Sequence, residues 1–112
     1  MRIAIPTSDG KLDAHFGHCA QMALIDVDPQ TKAILSQEIV ETPEHAPGLF
    51  PRWVRQHGAT VVIAGRMGAR AQKLFSRHGI EVIVGVTEED LETLVAQYLG
   101  GTLVSGVSLC DH

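Results

Sequence analysis

The spacing of apolar and polar positions changes halfway along the chain, and that change predicts the fold class. Arg2 to Pro6 alternate little, as expected of a strand buried on both faces. A polar, turn-rich stretch follows from Thr7 to His18, with Asp9-Gly10 as its turn dipeptide. Met22 to Val27 is mostly apolar and predicts a central strand, and Asp28 to Thr31 reads as a tight turn. Lys32 to Val40 predicts an amphipathic outer strand whose Ser36, Gln37 and Glu38 suit an edge that must resist pairing with other chains. From residue 50 onward a longer period appears. Phe50, Trp53, Val54 and His57 fall on one helical face, with Pro51 in the first turn and Gly58 as the stop. Thr60 to Ala64 predicts a short buried parallel strand, and Gly65-Arg66-Met67-Gly68 a turn. Ala71, Leu74, Phe75 and His78 mark a second helix stopped by Gly79, and Ile80 to Val84 a further buried strand. Thr87 is the expected cap of a third helix, with Glu88, Glu89 and Asp90 in a first turn where negative charge suits the helix dipole. Leu91, Leu94, Val95, Tyr98 and Leu99 form its buried stripe.

This order is β-β-β-α-β-α-β-α. Three opening strands without a helix between them are most simply antiparallel, and the last two arrive through right-handed helical crossovers. The expectation is an α/β fold with a five-stranded mixed sheet in the order 3-2-1-4-5 and helices on both faces, the three-layer ribonuclease-H-like arrangement. A chain of 112 residues predicts a single domain over 1–112. Residues 100–112 contain Gly100, Gly101 and Gly106 and no helical stripe, and read as an added short strand or a flexible tail.

Composition narrows the function classes. With 45% hydrophobic and 20% charged residues the chain is an ordinary globular sequence, which argues against disorder. No apolar run is long enough to cross a bilayer, and the N-terminal residues lack a signal-peptide pattern, so the expected location is cytoplasmic. Two cysteines, Cys19 and Cys110, are too few for a disulfide framework and fit a reducing compartment. A net charge of −4 with nine Lys+Arg disfavours nucleic acid or an anionic membrane as partner. Six histidines against five aromatics are the first sign of chemistry beyond packing.

In open α/β sheets, ligands gather beyond the carboxyl ends of the strands where the strand order switches. Three segments are expected there: the loop after the first strand, with Thr7, Ser8 and His15-Phe16-Gly17-His18-Cys19; Glu44-His45-Ala46-Pro47-Gly48; and Gly65-Arg66-Met67-Gly68. Imidazole and thiolate are borderline or soft donors, suited to iron, copper, zinc and sulfide clusters rather than to Mg²⁺. His-x-x-His around a glycine lets both rings turn toward one point; the same residues also suit a solvated loop with Cys19 buried at the start of the next strand. Cys110 and His112 could add ligands, though no spacing demands it. A strand-Gly-turn-helix unit exposes backbone N–H groups that attract anions, Arg66 adds charge and Met67 a soft thioether; the same turn also suits a plain tight connection. Neither GxGxxG nor a P-loop is present, so a nucleotide site has little support. His57 and His78 precede helix-stopping glycines and are read as structural.

Taken together these segments resemble the dinitrogenase iron–molybdenum cofactor biosynthesis family. The resemblance rests on Met1 to Ser8, His15 to Cys19, His45 to Gly48, Pro51-Arg52-Trp53, Val62 to Gly68 and Gly79 to Val82, and spans nearly the whole chain. It implies a ribonuclease-H-like fold and binding rather than turnover: a cytoplasmic carrier, not an enzyme, for an iron–molybdenum–sulfur cluster or its precursor, acting with cofactor-assembly proteins, in a family associated with nitrogen fixation though also found apart from it. The implied cofactor-binding residues are His15, Phe16, Gly17, His18, Cys19, His45, Gly65, Arg66, Met67 and Gly68, with His15, His18, Cys19 and His45 as metal ligands. The chain departs from the family at Arg66, where glycine is common.

Two other readings compete. A nuclease on this fold needs clustered carboxylates for two divalent cations, and Arg2 to Pro6 contain none. A metal-free interaction or regulatory module would use the strand Lys32 to Val40 and the tail for strand addition to another chain.

Overall fold

A computed structural model describes residues 1–8, 11–12, 21–42, 49–86 and 90–101. The strands are β1 (Arg2–Ser8), β2 (Lys11–Leu12), β3 (Gln21–Asp28), β4 (Ala33–Glu41), β5 (Val61–Ile63) and β6 (Glu81–Ile83). The helices are α1 (Leu49–Gln56), α2 (Ala69–Arg77) and α3 (Leu91–Gly100). The sheet is mixed, with the path β4-β3-β1-β5-β6 and β2 off that path against β1. The expected five strands in order 3-2-1-4-5 did not include β2, so among the described residues the sheet has six strands and its path reads 4-3-1-5-6. β1 runs antiparallel to β3 (Arg2 opposite Asp26, Thr7 opposite Gln21) and parallel to β5 (Ile3 opposite Val61).

Alternation along the strands divides the core into two layers. Ile3, Ile5, Ala23, Ile25, Val27, Val61 and Ile63 meet Leu91, Leu94 and Val95 of α3. Ala4, Met22, Leu24 and Val62 meet Val54 of α1 and Phe75 of α2. Helices therefore cover both faces. β1 is buried from Ile3 to Thr7, as its unbroken apolar run requires. β6 differs from its expected full burial: Glu81 is exposed and Val82 and Ile83 are only partly covered, because among the described residues β6 is an edge strand with one neighbour.

The helix ends follow the local chemistry. α1 and α2 are followed by Gly58 (φ +81°) and Gly79 (φ +73°), in the left-handed region that glycine adopts without steric cost. The His78 ring lies 2.9 Å from the Leu74 carbonyl oxygen, where it closes the end of α2. His57 stacks obliquely on Trp53, with ring centroids 4.6 Å apart. The expected cap Thr87, with Glu88 and Glu89, lies outside the described residues. The N-cap of α3 is Asp90, whose carboxylate accepts from the Thr93 amide at 3.0 Å and the Thr93 hydroxyl at 2.6 Å. A carboxylate caps as well as a threonine hydroxyl does, and these bonds hold Asp90 below the usual carboxylate range.

At the amino end of β1, Arg2 donates to both carboxylate oxygens of Asp26, at 2.7 and 3.0 Å, and also to the His57 carbonyl. Ser36 of β4 donates to the same carboxylate at 2.9 Å. Asp26 thus ties β1, β3 and β4 together.

Candidate functional site

The carboxyl end of β1 is where the sheet changes from parallel to antiparallel pairing. Below it, Ile3 and Ala4 pair with β5; at Thr7 and Ser8 the same edge is taken over by β2, through Thr7 opposite Leu12 and Ser8 opposite Lys11. On its other edge Thr7 faces Gln21, and Gln21 in turn faces Glu41 of β4. The residues that anchor three separate stretches therefore meet at one end of the sheet. Leu12 and Gln21 anchor the two ends of 13–20, Glu41 leads toward 43–48, and β5 leads into Gly65–Gly68.

Gly65–Gly68 is a strand-to-helix turn fixed by backbone bonds. Ala64 donates to the Ile83 carbonyl and Gly85 to the Gly65 carbonyl, both at 2.8 Å. The β5–β6 ladder thereby continues past the regular strands, and Gly65 is buried beneath it. Gln72 reaches back from α2, its side-chain amide donating to the Met67 carbonyl at 2.8 Å. Gly68 is the N-cap of α2; no side chain caps the helix there, and its first turn contains no acidic residue. Such a helix start suits a negative group. Arg66 is half-buried beside it. Met67 is 2% exposed and packs in the core layer with Val62, Ala64 and Phe75, so its thioether lies beneath the turn rather than at its surface.

Thr7 is the one fully buried polar residue in the described core, and its hydroxyl has no hydrogen-bond partner among the described residues. A buried hydroxyl in that state costs about 1–3 kcal/mol. Its place at the end of β1, between Leu12 and Gln21, puts this unused polar group at the same switch point. The sequence places Thr7 at this switch point but in the loop after the strand; that it is the last buried residue of β1 gives no signal without the register.

Of the residues expected at the site, Gly65, Arg66, Met67 and Gly68 are described and form one turn. His15, Phe16, Gly17, His18, Cys19 and His45 lie outside the described residues, as do Cys110 and His112. Among the described residues no group of three or more His, Cys, Asp or Glu is placed to hold a metal ion. No helix among them is long and apolar enough to cross a membrane.

Comparison with known proteins gives a consistent result. Residues 1–101 match the family described as dinitrogenase iron-molybdenum cofactor. An uncharacterized protein of Methanocaldococcus jannaschii is 25% identical over 108 residues, covering 92% of this chain and 89% of its own. The crystal structure of PH0822 superposes with a TM-score of 0.84 at 30% identity, over 94% of both chains. The apo form of the orange protein from Desulfovibrio gigas superposes with a TM-score of 0.72 at 26% identity, over 96% of this chain and 93% of its own.

Proposed function

This chain belongs to the dinitrogenase iron-molybdenum cofactor family, and from that membership we propose that it binds an anionic metal–sulfur cluster, of iron–molybdenum–sulfur type or a precursor, as cargo for cofactor assembly. The observation that carries this reading is the convergence at one end of the sheet: Leu12, Gln21 and Glu41 adjoin the segments that bear His15, His18, Cys19 and His45, and β5 leads into Gly65 there. His15, His18, Cys19 and His45 are the proposed metal ligands. Phe16 and Gly17, which separate His15 from His18 in the sequence, are proposed as cofactor-binding residues beside them. Gly65 and Gly68 allow the backbone to approach closely, the uncapped start of α2 and Arg66 offer positive potential, and Met67 seats the turn from below. Soft donors with a cationic rim match a sulfide-rich anion. The orange protein, solved as an apo form, is a relative consistent with a removable ligand.

On this reading the protein holds and hands on its cargo and does not turn over a substrate. The arrangement is read as ribonuclease-H-like, but β1 offers no carboxylate for the two-cation chemistry of nucleases on that fold. Anaerobic purification or reconstitution followed by elemental analysis and visible absorption tests the proposal. Metal and sulfide should co-purify with a charge-transfer band. His15→Ala combined with His45→Ala should lower metal retention severalfold, and full retention in that double variant rules out the ligand set.

A further inference from the structure

The basic residues of this chain are segregated. Residues 45–80 contain no Asp or Glu and six of the nine Lys+Arg: Arg52, Arg55, Arg66, Arg70, Lys73 and Arg77. With His neutral, that stretch carries +6 and the remainder −10. α1 and α2, which carry five of the six, pack in the same core layer. Arg70, Lys73 and Arg77 stand at i, i+3 and i+7 of α2, along one side of the helix, and all three are exposed. Among the described residues no ion pair joins any of these six side chains to a carboxylate; the pair recorded there is Arg2–Asp26. Like charges at these spacings weaken a helix, so the row lowers stability with no compensation within the described fold. Beside it lies an open groove of about 630 Å³ lined by Ala69, Gln72, Lys73, Ser76 and Arg77.

We propose that this outer side of α2 is a docking surface for an acidic segment of a partner protein. The row from Arg70 to Arg77 extends about 10 Å along the helix axis, enough to meet several carboxylates in succession. A long polyphosphate fits less well. The rest of the chain carries −10, and its negative field reaches about a Debye length, roughly 8 Å, beyond the surface that bears it. A nucleic acid strand running past α2 meets that negative field, whereas a short acidic segment stays on the row. Neither the row nor the groove lining includes an aromatic side chain on which a base could stack. The inference does not rest on the proposed cargo, and its test uses no metal.

The test is fluorescence anisotropy with the full chain and three labelled probes: a Glu-rich peptide, its Gln-substituted counterpart, and a single-stranded oligonucleotide matched in charge to the first. The Glu-rich peptide should bind, more weakly as salt rises, and the Gln counterpart should not. Arg70→Gln, Lys73→Gln and Arg77→Gln together should weaken binding on the order of tenfold. Arg70→Lys with Arg77→Lys, which keeps the charge, should retain binding, and Lys32→Gln, in the turn before β4, should leave it unchanged. Circular dichroism checks that the variants are folded; these side chains are exposed, so the fold should persist. Equal affinity in the triple variant, or tighter binding of the oligonucleotide than of the acidic peptide, overturns the proposal.

Discussion

β1 and β4 belong to one sheet and have similar lengths, yet they differ completely in burial. Ile3, Ala4 and Ile5 are wholly enclosed. In β4 no residue is buried, and Ile34, Leu35 and Ile39 are 38%, 66% and 40% exposed. Both sequences favour a strand, so propensity does not separate them. What separates them is the number of neighbours: β1 is paired along both edges and covered on both faces, whereas among the described residues β4 pairs only with β3. β4 also carries the devices that blunt an edge. Glu38 and Glu41 interrupt its apolar positions, and the pairing skips Leu35 between Ser36 and Ile34, a bulge that breaks the regular edge.

The contrast can be tested first where it is largest. Ile5→Ala should cost about 2–5 kcal/mol of unfolding free energy, because a close-packed site cannot collapse around the cavity. Urea denaturation measures it, and a loss as small as a surface substitution gives would show that β1 is not the centre of the core.

A second measurement concerns the link between the two strands. Arg2, with help from the Ser36 hydroxyl, holds the Asp26 carboxyl below its usual range. A lowered folded value means stabilisation that is present above about pH 4, the unfolded carboxylate value, and is lost as pH falls through the folded value. Wild type should exceed Asp26→Asn in urea midpoint at neutral pH, and the gap should narrow in acid. A gap independent of pH would remove the carboxylate from the account.

Ile39→Ala should change stability by only about 0.5 kcal/mol, since the side chain is already partly in water. A loss comparable to that of Ile5→Ala would mean that β4 is covered in solution. The smallest effect belongs to the opposite edge. Burial, with Glu81 beside it, pushes the Tyr98 hydroxyl above its ordinary value, and that hydroxyl donates to the Glu81 carboxylate at 3.1 Å. A raised value gives stability that is intact below about pH 10 and lost as pH rises through the folded value. Thermal melts of wild type should therefore fall in alkali more than those of Tyr98→Phe.

Much of this architecture was legible in the chain. The long apolar runs at 2–6 and 22–27 and the stripe from Leu91 to Leu99 identify their elements because burial repeats over several residues. β2 was not legible: two residues with one apolar side chain cannot signal a strand, and Leu12 becomes one only by pairing with Thr7. β6 read as fully buried because an apolar run does not reveal how many neighbours it has. Met67 was legible as a soft donor but not as a core residue; that depends on which side of the turn faces Phe75. For the site, the motifs identified the family and the turn at Gly65–Gly68. The burial of Thr7 needed the register, and the basic row needed α2 to show which of its residues share a side.

The parallel contact between Ile3 and Val61 has a consequence for how the molecule assembles. Its partners are 58 positions apart, whereas β1, β3 and β4 are all complete by Glu41. During synthesis the antiparallel leaf can zip from nearby turns, while the second edge of β1 waits for a distant stretch to be made. Contacts this remote in sequence are slow to form because a long loop must close first. Until that happens, a nascent chain presents the buried strand β1 half paired, the stage at which a chaperone would have most to protect.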